Sequence, residues 1–212
     1  MATCRPQIST SQTLGRRTEG STATKVDIGA AARPMCATAA PRQASGMTQS
    51  TLITGDYRID AQRTTIGFTT RHMFGLGRVR GTFRLRDGHI HVADRIEESV
   101  ARATVAADSV DTGNSMRDAT VRQQYLDVVN HPDIVFSSSG VERVDDAWVL
   151  RGKLMVCGRT KPVDLRVTDV RDGLRATASC VIDRYEFGIT KMKGMTGRRL
   201  AFTLDVVANL ST

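Results

Sequence analysis

Few residues in this chain combine a reactive type with a useful spacing. His89 and His91 lie two apart, so on a strand both imidazoles leave one face and could begin a metal site. A catalytic zinc needs a third protein ligand and an open position. His72 and His131 are the remaining two of the 4 histidines, and no pattern brings them to the first pair. Neither a metal nor a cofactor is therefore expected. No Gly-x-Ser-x-Gly elbow is present to support a serine nucleophile. Cys157 and Cys180 fall on or beside apolar runs and read as small packing groups rather than thiolates. Two charged pairs, Arg117-Asp118 and Asp183-Arg184, allow two readings. An arginine could grip a lipid head group or diphosphate bidentately, or it could pair with a nearby carboxylate and pin a loop.

These residues must be held by something, and the dominant period from residue 64 onward is two. In 78–86, Val79, Gly81, Phe83 and Leu85 face one way while Arg78, Arg80, Thr82, Arg84 and Arg86 face the other. That is a strand with one buried and one wet face. The same alternation marks 64–72, 100–108, 133–139, 147–157, 161–170, 173–183 and 199–208. Asp87-Gly88, Asp145-Asp146 and Asp172-Gly173 read as turns, because Asp and Gly tolerate positive φ. Short gaps between the later runs predict an antiparallel meander for strands five to eight. So many amphipathic strands expose too much edge unless they close, so the expected fold is all-β, an eight-stranded antiparallel barrel. A sandwich of two four-stranded sheets fits the same pattern.

Residues 112–131 break the period and read as a helical insert between strands three and four. Asn114 or Ser115 supplies the N-cap, and Asn130-His131-Pro132 ends the segment. The insert is placed to close a barrel mouth.

The first fifty residues are different in kind. They hold 6 basic and 2 acidic groups and no Phe, Tyr or Trp, leaving 24 basic and 20 acidic for the other 162. Residues 1–51 are read as a disordered basic tail and 52–212 as the folded domain. Half of the net charge of +8 thus sits in the tail, and the domain's arginines alternate along strands as a solvated outer face. A nucleic-acid partner, which needs a clustered basic face with aromatics, is not expected. No stretch has the ~18–20 apolar residues of a membrane span. No secretory signal is evident, so the expected location is cytoplasmic.

The inward set is short of large side chains: Gly81, Ala103, Ala107, Gly152, Ala176, Ala178 and Cys180 alternate with Phe, Leu, Ile and Val. An eight-stranded barrel is either just filled or able to hold one small ligand. Small inward residues leave volume for a lipid-like chain, or they fit a flattened, tapered barrel.

Several local motifs now combine. Tyr57-Arg58-Ile59-Asp60 is followed by Ile66-Gly67-Phe68, Arg71-His72-Met73 and Val79-Arg80-Gly81-Thr82-Phe83. Asp108-Ser109-Val110-Asp111-Thr112-Gly113-Asn114 with Arg117-Asp118 comes next, then Tyr125-Leu126-Asp127-Val128 and His131-Pro132-Asp133-Ile134-Val135-Phe136-Ser137-Ser138. The series ends with Gly152-Lys153-Leu154 running to Lys161-Pro162-Val163, and Asp183-Arg184-Tyr185-Glu186-Phe187-Gly188. In this order and spacing, from about residue 55 to 209, the chain closely resembles the YceI-like family of lipid- and polyisoprenoid-binding proteins. It departs where the family's Leu-Thr-Ile-Arg-Gly reads Leu154-Met155-Val156-Cys157-Gly158, and where Ala119-Thr120 replaces the usual His after Arg-Asp.

The resemblance implies a lipocalin-like barrel that binds an isoprenoid or fatty-acyl lipid without turning it over. It nominates Phe68, His72, Phe83, Phe136, Leu154, Leu165, Phe187 and Phe202 as ligand-binding residues, most of them also inward by alternation. Phe187 could equally close the barrel end. Family members often pair, which implies a homodimer, though no patch in the pattern marks one. Two other readings stand beside this one. One is an enzyme using His72 with a neighbouring carboxylate for acid/base chemistry; the other is an empty structural or partner-binding barrel.

Overall fold

The protein is described here from a computed structural model covering residues 53–72, 75–145, 147–171 and 175–211. The basic segment 1–51, the Asp172-Gly173 turn and the neighbouring Leu174 lie outside the described residues.

Nine strands form one antiparallel sheet: β1 Gly55–Ile59, β2 Thr65–His72, β3 Gly77–Val92, β4 Val100–Asp111, β5 Asp133–Val144, β6 Ala147–Val156, β7 Arg159–Arg171, β8 Arg175–Asp183 and β9 Arg199–Leu210. Eight of them run β3-β2-β9-β8-β7-β6-β5-β4, and β4 pairs back to β3 to close the ring. Closure rules out the sandwich and removes the free edges that eight amphipathic strands would otherwise expose. β1 adds no position to the ring. It occupies the slot of β2 lower down, pairing Tyr57 with both Ile90 and Leu210. The meander predicted for the later strands is β6 to β9, each pairing with the next.

Alternation does what the sequence requires. Along β3, Val79, Phe83 and Leu85 are buried, while Arg78, Arg80, Arg84 and Arg86 are exposed. Asp87-Gly88, expected as a turn, instead lies within β3, where a register shift separates Leu85 from Asp87. The glycine answers to a close approach rather than a reversal: a Cβ at Gly88 would stand 2.7 Å from Ile59 Cδ1, at the end of β1. At Asp145 the turn is present, with φ 54°.

The insert follows β4. Its helix, α1 Ser115–Thr120, starts at Asn114, whose side chain accepts a hydrogen bond from Arg117 N at 2.9 Å. After Thr120 the chain widens into a π turn over Val121–Tyr125, and Leu126 is buried beneath it. Because regular helix ends there, the spacing read across 112–131 does not hold throughout. Met116 and Val129, apolar residues of the insert, are exposed.

The β2–β3, β4–β5, β6–β7 and β8–β9 connections gather at one end of the barrel, here the insert end. Tyr125 Oη lies 3.2 Å from Thr196 Oγ1, Gly197 N donates to Arg71 O at 2.6 Å, and Cys157 Sγ donates to Leu126 O at 3.3 Å. These contacts tie the four connections together. No helix among the described residues is long and apolar enough to cross a membrane.

Candidate functional site

The barrel encloses a cavity of about 740 Å³ that runs from Met192 and Met195 at the insert end to Val170 and Arg175 at the other. Pairs of strands build it: Phe68 of β2 stands opposite both Gly81 of β3 and Phe202 of β9, and Leu150 of β6 opposite Leu165 of β7. All eight residues nominated from the sequence line it. Phe68, Phe83 and Phe202 form one aromatic cluster, with ring centroids 5.4, 5.8 and 6.5 Å apart. The two pairs involving Phe68 are tilted by 39° and 38°, which suits the ring quadrupoles better than a face-to-face sandwich. Phe187, on the β8–β9 connection, is only 2% exposed and packs with Val110, Leu126 and Val156, so it also closes the insert end.

Two inward glycines do not contribute open volume. A Cβ at Gly81 would meet the Phe68 ring at 2.6 Å, and one at Gly152 would meet the Phe136 ring at 2.6 Å. Each aromatic folds onto the bare backbone of a neighbouring strand. Three of the four inward alanines, Ala103, Ala176 and Ala178, line the cavity, whereas Ala107 is packed into the core.

Among the described residues, charge enters the lining only at the ends, as Arg117 and Arg184 beside the insert and Arg175 opposite. Arg184 is 4% exposed and donates to three carbonyls: Nε to Gly197 at 2.9 Å, Nη1 to Ile189 at 2.6 Å and Nη2 to Thr196 at 3.1 Å. Its guanidinium also lies 5.6 Å from the Tyr125 ring centroid and 4.9 Å from that of Tyr185. The loop-pinning role is present, but carbonyl dipoles and aromatic faces replace the expected carboxylate. Asp183 instead accepts from Arg198 Nε at 2.6 Å. Arg117 acts through Thr112: its Nε donates to Thr112 Oγ1 at 2.7 Å, and that hydroxyl donates to buried Asp118 at 2.5 Å. This relay fixes α1 to the end of β4.

No Asp or Glu lines the cavity among the described residues, so His72 has no carboxylate partner there. Its ring lies instead over Gly77, where a Cβ would run into the imidazole. His89 and His91 are on the outer face, 3.0 Å from Asp87 and 2.8 Å from Asp56. Among the described residues no three His, Cys, Asp or Glu side chains converge as metal ligands. Burial pushes the Cys180 thiol up to about 11, which suits the packing role read from the sequence. Cys157 is also raised, first by burial and then by the Asp127 charge.

Residues 57–208 match the YceI-like domain. The chain belongs to this family. Among YceI-like relatives, Protein YceI of Salmonella arizonae is 30% identical over 171 residues, covering 75% of this chain and 89% of that protein. A UPF0312 protein of Photorhabdus laumondii is 29% identical over 131 residues, covering 60% and 68%. The fold superposes on BcnA from Burkholderia cenocepacia with a TM-score of 0.64 at 19% identity, covering 71% of this chain and 99% of BcnA. A domain from Saccharophagus degradans described as polyisoprenoid-binding superposes with a TM-score of 0.57 at 13% identity, covering 73% and 98%.

Some lining residues of this YceI-like barrel carry no sequence signal for the site. Met192 and Met195 lie in an aperiodic stretch, and Tyr125 reads simply as part of a helical face. Arg175 opens β8, and its alternation with Ala176 gives it an outward reading; only the barrel's end geometry brings it to the mouth.

Proposed function

We propose that this YceI-like barrel binds and carries an amphiphile whose long isoprenoid or fatty-acyl chain lies along the cavity. The observation that carries this reading is a continuous apolar channel with cations confined to its ends. Its volume of about 740 Å³ falls in the range of ligand sites, roughly 300–1,000 Å³. The eight lining residues Phe68, His72, Phe83, Phe136, Leu154, Leu165, Phe187 and Phe202 contact the chain or its polar end. The polar end lies at the insert end, where His72, Arg117 and Arg184 stand. The Saccharophagus degradans domain described as polyisoprenoid-binding supports an isoprenoid as one such chain.

The lining supports carriage rather than turnover: acid/base chemistry needs a poised pair of titratable groups, and among the described residues no carboxylate lines the cavity beside His72. An empty structural barrel is the weaker reading, because Gly81 and Gly152 are filled by aromatic rings while the channel between them remains open.

Native mass spectrometry of the full chain tests the proposal. Prenyl and fatty-acyl ligands are expected to bind with affinity rising about fourfold per methylene, the equivalent of about 0.8 kcal/mol, until the channel is full. Added salt should leave that affinity almost unchanged, since burial of apolar surface is not screened. The same spectra read the monomer or homodimer directly. A chain that neither retains nor takes up any such ligand overturns the carrier reading.

A further inference from the structure

We propose that the insert end of the barrel docks on an anionic lipid bilayer, with Leu76, Met116, Met192 and Met195 entering the interface and the surrounding lysines and arginines meeting lipid phosphates. Four large apolar side chains stand out at this end, 89%, 81%, 54% and 43% exposed in the order given. They come from three separate connections, β2–β3, α1 and β8–β9, that the topology brings to one end. Solvated singly, exposed apolar residues need no explanation; several gathered around one opening do.

Charge selects the occupant. Residues 183–199, which form most of this rim, hold exposed Lys191, Lys193, Arg198 and Arg199 against exposed Glu186 and half-buried Asp183, a net of +2 from four minus two, with Arg198 paired to Asp183 and Arg184 buried. Lys191 and Lys193 flank Met192 directly, and both are exposed. Arg71, Arg78 and Arg159 add exposed cations on the adjoining strands. The other acids at the same end, Asp108 and Asp111 on β4, half-buried Asp127 in the insert and half-buried Asp133 opening β5, belong to other segments than the Lys191–Met195 tip. At the opposite end the β3–β4 connection is exposed and acidic, with Asp94, Glu97 and Glu98 against Arg95. The acidic β3–β4 connection thus lies at the end opposite the Lys191–Lys193 tip. Basic side chains around exposed methionine and leucine are the composition that partitions into the headgroup layer of anionic membranes. Met192 φ 53° and Gly194 φ 82° shape the Lys191–Met195 tip into a turn, closed by Met195 N and Thr196 N donating to Met192 O.

For its purpose this inference rests on the carrier reading: Met116, Met192 and Met195 both line the cavity and reach solvent, so a docked barrel would open its channel toward the bilayer. Docking itself is read without any cargo. The full chain, basic tail included, is floated with neutral phosphatidylcholine vesicles and with vesicles containing phosphatidylglycerol. Flotation is expected only with the anionic vesicles and should fall as salt rises. Lys191→Gln with Lys193→Gln should weaken it about thirtyfold, and Leu76→Ser about fivefold. Because every variant keeps residues 1–51, these losses isolate the rim. Lys191, Lys193 and Leu76 do not line the cavity, so ligand uptake by native mass spectrometry should be unchanged in the variants. Absence of flotation, or flotation that the variants do not weaken, overturns docking whatever the ligand result. Equal binding to a short DNA duplex, with no effect of Leu76→Ser, would identify a general polyanion face and also overturn it.

Discussion

Phe136 Cζ lies 2.6 Å from where a Cβ on Gly152 would stand, so the ring occupies the space a side chain would need. The Ser137 carbonyl oxygen closes the other side at 2.8 Å. Gly152 pairs with Ser138 and Leu154 with Phe136, so the ring reaches diagonally across the β5–β6 ladder. Phe68 and Gly81 repeat the arrangement across β2 and β3, there as direct partners. The barrel thus uses glycine to let an aromatic lie flush with its wall, leaving the channel clear.

Gly152→Ala should therefore destabilise the fold by about 1–3 kcal/mol, because backbone on one side prevents relief by ring movement alone. Each kcal/mol corresponds to roughly 2–4 °C in a domain of this size, so thermal melts should show a clear fall in Tm. An unchanged Tm would mean that Phe136 has another place to go.

Filling the channel should separate stability from binding. Ala176→Phe puts a ring into the cavity that Ala176 lines near Val170 and Val206. Uptake of long-chain ligands should drop by more than about tenfold, while Tm stays level or rises as dry volume is filled. Undiminished uptake would place the ligand elsewhere.

Cys180 offers an internal reporter. It lines the cavity, and burial raises its thiol to about 11, so little thiolate is present near pH 8. Alkylation at Cys180, followed by peptide mapping, should be slow at pH 8 and rise about tenfold per pH unit until near that value. A bound ligand chain should block it. Labelling as fast as an exposed thiol, or unaffected by ligand, would contradict the placement.

The cavity-facing positions of Phe68, His72, Phe83, Phe136, Leu154, Leu165 and Phe202 are legible because strand alternation is a local rule, and one buried face of a closed barrel has only one inside. Phe187, on an irregular segment, needs motif context. Asp87-Gly88 misled because a glycine required by a distant neighbour looks the same in sequence as one required by a turn; Ile59 is 29 residues away along the chain, from Gly88 back to Ile59. The missing carboxylate for Arg184 has a similar origin. Its partners are carbonyls of Ile189, Thr196 and Gly197, and backbone acceptors carry no residue-type signal.

Periodicity and motif order settle eight of the nine strands, all but β1, together with the inward faces, the capped insert and the family, since each depends on neighbours within a few residues or on their succession. Ring closure, the sharing of one barrel position by β1 and β2, and the filling of two glycine sites by aromatics depend on contacts between distant strands. So does the gathering of Leu76, Met116 and Met192 with the basic tip at one mouth. Which side chains share a space is fixed by how strands pair and close, and pairing across the sheet is a property of the folded chain alone.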